Sequence, residues 1–175
     1  MPKLRKMLGD IHSPECVNLM RLIETQSKTT LAAWAVGYAK EHYLELYEAE
    51  CPGDLRLRDT IAACEAYFNG IKQQNEIKPL IRQAGQIARD RGEQPTAQAA
   101  ARAVSTACAA IQTPTNALGF LFYGAAASAS SQAGLRQEAG VYDEFATIEF
   151  KNALDDLKQA AVPDEPCPAK INWNC

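Results

Sequence analysis

Alanine accounts for 30 of the 175 residues, whereas valine accounts for only five. Alanine is the strongest helix former, and β-branched residues are the ones that strands favour. No stretch of the chain alternates β-branched and polar residues as a half-buried strand does. We therefore expect an all-α fold without a sheet.

Helix start and stop signals divide the chain into about seven helices. Ser13-Pro14-Glu15 is typical of a helix start, with a capping hydroxyl followed by a proline in the first turn. Cys51-Pro52-Gly53-Asp54 ends the second helix, and Asp54 is expected to accept from free backbone donors of the next one. Because the connections are short, we predict one domain, 1–162, followed by a proline-containing tail, 163–175.

The most alanine-rich helices are expected at the centre of the bundle. They are the fifth, Ala97–Ile111, and the sixth, which follows Thr113-Pro114. Small side chains let helix backbones approach closely, and we expect large aromatic side chains to fill the space between layers. Three cysteines on helices are predicted to be small apolar core residues: Cys16, Cys64 and Cys108.

Two helices show a clear division between an apolar and a charged face. The second helix is predicted to turn these residues inward: Leu31, Trp34, Ala35, Tyr38, His42 and Leu46. The last helix is predicted to bury these: Val141, Phe145, Ile148, Leu154, Leu157 and Ala161. Its solvent face is predicted to carry these acids: Asp143, Glu144, Glu149, Asp155 and Asp156.

Charge and hydropathy exclude several classes of protein. The net charge is −3, so no general affinity for nucleic acid or anionic membranes is expected. The longest weakly polar run, Ala117–Ala129, is too short for a span of about 20 residues. The N-terminus has basic residues but no apolar segment followed by a cleavage site, so we expect a cytoplasmic protein.

The sequence lacks the common signatures of a catalytic or cofactor site. It contains no glycine-rich phosphate loop and no Cys-x-x-Cys pair. We therefore predict no catalytic residue, no metal and no cofactor, although enzymatic activity stays open. One alternative is a metal-dependent helical-bundle enzyme that uses His42 with Glu45 or Glu65. Another is a structural or regulatory homo-oligomer that pairs an exposed alanine surface, Ala97–Ala110.

Asp54-Leu55-Arg56-Leu57-Arg58-Asp59 places two arginines in the first turn of a helix. Positive charge at this end opposes the helix dipole, at a cost of about 0.3–1 kcal/mol. We expect ion pairs inside the chain to offset this cost, with Glu48 or Glu50 or the flanking aspartates as partners. The alternative is a carboxylate or phosphate supplied by a binding partner.

Three stretches resemble the type-5-like family of putative immunity proteins from bacterial polymorphic toxin systems. The first contains Leu31-Ala32-Ala33-Trp34-Ala35, Tyr38-Ala39-Lys40-Glu41 and Leu46-Tyr47-Glu48; the second contains Pro52, Asp54, Arg56, Arg58, Ile61 and Gly70; the third contains Ala100-Ala101-Arg102-Ala103, Asn116-Ala117-Leu118-Gly119 and Tyr123. They cover about residues 30–128. The resemblance implies an all-α protein that binds and occludes a partner toxin domain.

The chain departs from the family pattern at three positions. Leu57 stands where the family tends to have a proline between the arginines, and Gln112 and Asn116 stand where it tends to have histidines. Amides can donate hydrogen bonds as histidines do, but they would not replace metal ligands. The residues that we predict to contact a partner are Glu41, Glu45, Glu48, Asp54, Arg56, Arg58, Gln112 and Asn116. Acidic faces on the second and last helices would steer a basic toxin domain.

Overall fold

The computed structural model describes residues 4–173, and these fold into eight α-helices. The helices are α1 (Pro14–Ile23), α2 (Lys28–His42), α3 (Leu44–Glu50), α4 (Arg56–Phe68), α5 (Gln74–Asp90), α6 (Pro95–Ala109), α7 (Asn116–Ala133) and α8 (Ala139–Ala160). The predicted all-α, single-domain bundle is confirmed. No helix in this part of the chain is both long enough and apolar enough to cross a membrane.

The second predicted helix is divided into α2 and α3 at Tyr43. The backbone N–H of Tyr43 still bonds to the carbonyl of Ala39, but its φ of −117° departs from helical geometry. The break turns the Tyr43 ring into the core, where it is almost fully buried. His42, predicted on the apolar face, is instead exposed and stacks on Tyr38 with ring centroids 4.1 Å apart.

The alanine-rich helices α6 and α7 form the centre of the bundle, as predicted. They pack extensively against each other, and α6 also contacts α2, α3, α4 and α5. The fully buried alanines of α6 are Ala97, Ala100, Ala101, Ala103 and Ala107. The expectation of an exposed alanine surface on α6 is therefore wrong. These alanines are buried against other helices of the same chain and are not free to pair with a second copy.

Local signals read from the sequence are found at the ends of several helices. The hydroxyl of Ser13 accepts from the backbone N–H of Cys16 at 3.2 Å and caps α1. Gly70 follows α4 with a φ of 75°, in the left-handed region that favours glycine. Cys16, Cys64 and Cys108 are fully buried, as expected.

Helix α8 is rotated relative to the prediction. Ile148 is 58% exposed, so its predicted place in the core is wrong. Glu149 and Asp156, predicted on the solvent face, point toward α2 and accept hydrogen bonds from its aromatic side chains. The residues that α8 buries are Tyr142, Ala146, Phe150, Ala153, Leu154 and Leu157. Polar donors on α2 thus shift the inward face of α8 away from the purely apolar stripe.

The segment that follows α8 lies against the junction of α1 and α2. Its residues form no helix, and an isolated antiparallel bridge joins Pro168 to Ser27. Ile171 and Trp173 pack against the core as partly buried side chains. The last two residues, Asn174 and Cys175, lie outside the described residues.

Candidate functional site

Asp54 binds the guanidinium of Arg56 through both of its carboxylate oxygens. The Arg56 Nε donates to Oδ1 at 2.9 Å and Nη2 donates to Oδ2 at 2.8 Å. The backbone N–H of Arg56 also donates to Oδ1 at 3.3 Å, so Asp54 accepts from a free donor at the start of α4, as expected. The pair is clamped to the helix end, with the Asp54 side chain only 13% exposed and that of Arg56 46% exposed.

Two residues behind this pair hold Asp54 in place. The hydroxyl of Tyr47 donates to Asp54 Oδ2 at 2.6 Å, and Arg91 Nη2 donates to the same oxygen at 3.0 Å. Arg91 also donates to the Tyr47 hydroxyl at 3.2 Å and to Gln94 at 3.3 Å. Sequence reasoning missed Arg91, because it lies 37 residues from Asp54 and no local pattern connects them.

The electrostatics of this network follow from its hydrogen bonds. The hydrogen bond from Arg56 holds the pKa of Asp54 well below its usual range, and Tyr47 and Arg91 add to the effect. Burial and the hydrogen bond to Asp54 raise the pKa of Tyr47 to about 12. Asp54 therefore remains a carboxylate, and Tyr47 a neutral donor, throughout the physiological range.

Arg58 forms the second ion pair on this surface. Its Nε donates to Glu48 Oε2 at 3.0 Å, and its Nη2 donates to Oε1. The hydrogen bond and the charge of Glu48 raise the pKa of Arg58, and the charge of Glu45 contributes. The internal ion pairs that the sequence predicts are confirmed for both arginines.

We use the name α3–α4 ridge for the residues that lie at the end of α2, on α3 and at the start of α4: Glu41, Glu45, Glu48, Asp54, Leu55, Arg56 and Arg58. Leu55 is 52% exposed and lies between Asp54 and Arg56 in sequence, whereas Leu57, between the two arginines, is fully buried. Each arginine bonds its carboxylate through Nε and Nη2, and Nη1 makes neither of these bonds. The two guanidiniums are thus held in fixed positions by their carboxylates, and Glu41 and Glu45 are exposed acids of the same set.

Gln112 and Asn116 lie at the opposite end of the bundle. Gln94 precedes α6 and contacts the Asp54 network, whereas Gln112 follows the end of α6. A helix of 15 residues is about 22 Å long, so the two groups of predicted residues are not brought together. Gln112 is exposed and Asn116 is half-buried at the first position of α7.

The predicted acidic surface of α8 is only partly available. Asp143 forms an ion pair with Arg5, and both side chains are more than half exposed. Glu144 is exposed. Glu149 instead accepts from Tyr38 at 2.8 Å and from Tyr43 at 2.5 Å, and Asp156 accepts from Trp34 at 2.8 Å. Burial, followed by the charge of Glu149, raises the pKa of both tyrosines, so they remain neutral donors.

The residues suggested for a metal site do not converge. His42 Nε2 lies 3.9 Å from a carboxylate oxygen of its neighbour Glu41. Glu65 is engaged by Lys40, whose Nζ lies 2.9 Å and 3.3 Å from its two oxygens. Within residues 4–173, no group of three or more His, Cys, Asp or Glu side chains is arranged to hold a metal ion.

The described residues form a single-domain, all-α protein in which the predicted contact residues lie in two groups at opposite ends of the bundle. Comparison with known families then identifies its class. Residues 21–157 match the family described as Imm-5 like putative immunity protein, and the chain belongs to that family. The match extends beyond both ends of residues 30–128, the range over which the sequence resemblance was found. No curated protein and no solved structure gave a significant match.

Proposed function

We propose that this protein neutralises a partner toxin by stoichiometric occlusion, with the α3–α4 ridge as the contact surface. The observation that carries the proposal is the family match over 21–157, which implies a toxin as protein partner. The ridge lies wholly inside the matched range. Its clamped arginines support binding, because side chains that are already fixed lose little conformational entropy when a partner docks.

The charges of the ridge favour a partner surface that carries both basic groups and hydrogen-bond acceptors. Glu41 and Glu45 would attract basic groups and accelerate encounter, in a manner that weakens at high salt. Arg56 and Arg58 would donate to carboxylates or backbone carbonyls through Nη1. Leu55 would fill an apolar pocket at the centre of the contact, in the way that interface anchors do.

The direct test uses the product of a neighbouring toxin gene. Co-expression should restore growth, and the two purified proteins should elute together from a sizing column. Toxin activity should fall linearly and reach its minimum at one equivalent, which distinguishes occlusion from catalytic inactivation. If growth is not restored and no complex forms, the proposal is wrong.

Charge reversal locates the surface. Arg58→Glu should weaken the complex, since it places an acid beside Glu45 and Glu48, whereas Arg82→Glu on the exposed face of α5 should not. Glu45→Lys should slow association mainly at low salt. Gln112→Ala combined with Asn116→Ala tests the opposite end of the bundle. Loss of binding in that double variant, with Arg58→Glu unaffected, would move the contact away from the ridge.

A further inference from the structure

The segment 161–173 is attached to the bundle at three separate points. The backbone N–H of Ala169 donates to the carbonyl of Gln26 at 2.8 Å. The side-chain amide of Gln26 exchanges two hydrogen bonds with the backbone of Val162, at 2.8 Å and 3.1 Å. The indole N–H of Trp173 donates to Glu24 at 2.5 Å. All three points lie at the α1–α2 junction.

Glu165 supplies a fourth attachment, at the start of α2. Its carboxylate accepts from the backbone N–H of Ser27 and, at 2.7 Å, from the hydroxyl of Thr30. These hydrogen bonds lower the pKa of Glu165. Helix α2 has no acid in its own first turn and begins with Lys28, so Glu165 provides the negative charge that a helix start favours.

Little of the segment is buried. Every residue from 161 to 173 is at least partly exposed, whereas Gln26 beneath it is only 2% exposed. Asp164 and Cys167 have φ values of 50° and 57°, in the left-handed region that costs energy for residues other than glycine. A few hydrogen bonds, limited apolar burial and two strained residues are the properties of a unit that opens before the rest of the protein unfolds.

Trp173 lies between two hollows on the surface. One, of about 470 Å³, lies against α1 and is lined by residues including Val17 and Met20. The other, of about 410 Å³, is lined mainly by apolar side chains, among them Leu118 and Phe122 of α7. Ile11 and Trp173 line both hollows, so the two spaces are adjacent and the indole lies between them.

We infer that residues 161–173 form a strap that opens independently of the helical bundle and that Trp173 separates two hollows when the strap is closed. Opening joins the hollows into one groove between α1 and α7. Thr115, beside Asn116, lines this groove, so the strap controls access to that end of the bundle. The strap lies beyond the family match, which ends at residue 157, and the inference does not depend on the proposed toxin.

Hydrogen exchange on the full-length protein tests independent opening. The amides of Val162 and Ala169, which bind the strap to Gln26, should exchange far faster than amides of α6. Glu165→Ala should speed them about tenfold further without changing α6, because it removes charge-assisted hydrogen bonds. Glu93→Ala, an exposed acid on the α5–α6 connection, is the matched control and should change neither.

Two further measurements report on opening of the strap and exposure of the groove. Trypsin cleavage after Lys170 should accelerate in Glu165→Ala, and binding of an anilinonaphthalene sulfonate dye should rise in both Glu165→Ala and Trp173→Ala. The inference is overturned if the strap amides exchange only with global unfolding. It is also overturned if Glu165→Ala lowers the protection of α6 as much as that of the strap, since the segment would then be part of the cooperative core.

Discussion

The backbone of Gly124 lies directly against the ring of Tyr43. A Cβ atom at this position would lie 2.0 Å from Tyr43 Cζ and 2.4 Å from its hydroxyl oxygen. The absence of a side chain on α7 is therefore what admits the ring at the break between α2 and α3. The hydroxyl passes this point to reach Glu149 on α8, so one tyrosine connects three helices.

Gly124→Ala is expected to destabilise the protein by about 1–3 kcal/mol, because the methyl group overpacks a rigid aromatic contact. Gly37→Ala is the matched control on α2, where an added Cβ meets nothing within 4 Å. It should stabilise the helix by about 0.5–1 kcal/mol. Urea unfolding monitored by circular dichroism measures both changes, and equal free energies of unfolding for the two variants would contradict the assigned contact.

Glu149→Ala should cost about 1–3 kcal/mol, because the hydroxyls of Tyr38 and Tyr43 lose their common acceptor in the core. Glu144→Ala, five residues earlier and on the exposed face of α8, should change the free energy of unfolding by no more than about 0.5 kcal/mol. Thermal and urea unfolding of the two variants make the comparison. If both substitutions change the free energy of unfolding by a similar small amount, Glu149 faces solvent, as the sequence pattern predicted.

Stability should decline in alkaline solution. The folded-state pKa of Tyr38 and of Tyr43 is raised, so their contribution is complete below about pH 10, the pKa of an unfolded tyrosine. It is lost as the pH rises further, since only the unfolded chain then ionises these groups. Free energies of unfolding measured between pH 8 and pH 11 should fall, and Tyr43→Phe should fall less steeply. Ionisation of all six tyrosines in the folded protein, seen at 295 nm, would contradict this expectation.

The Asp54 network should contribute stability with the opposite pH dependence. The folded-state pKa of Asp54 is lowered, so its contribution is complete well above about pH 4 and is lost as the pH falls below that value. Asp54→Asn should therefore be less stable than the wild type at pH 6, and the difference should shrink toward pH 2. Asp155→Asn, on the exposed side of α8, is the control. A difference that persists unchanged at pH 2 would assign the effect to packing instead of charge.

Local signals predicted much of the fold. The cap at Ser13, the end of α4 at Gly70 and the burial of α6 each depend on residues within one or two turns, and the structure agrees with each. The partners of Arg56 and Arg58 could also be anticipated, because Asp54 and Glu48 are close in sequence. Arg91 could not, since nothing local indicates that the α5–α6 connection returns to Asp54.

The sequence by itself determined the all-α class, the central place of the alanine-rich helices and the family to which the chain belongs. The first two properties follow from composition and short-range preference, which act along the chain. The family follows from the resemblance of three stretches of sequence and from the match over residues 21–157. Only the tertiary structure decided which face α8 buries: Trp34 and Tyr38 of α2, and Tyr43 at the break after it, donate to Asp156 and Glu149 of α8, whereas Ile148 is left exposed. It likewise decided that Gln112 and Asn116 lie a full helix length from the α3–α4 ridge. Contacts between distant segments depend on how helices pack, and that information is absent from any single stretch of residues.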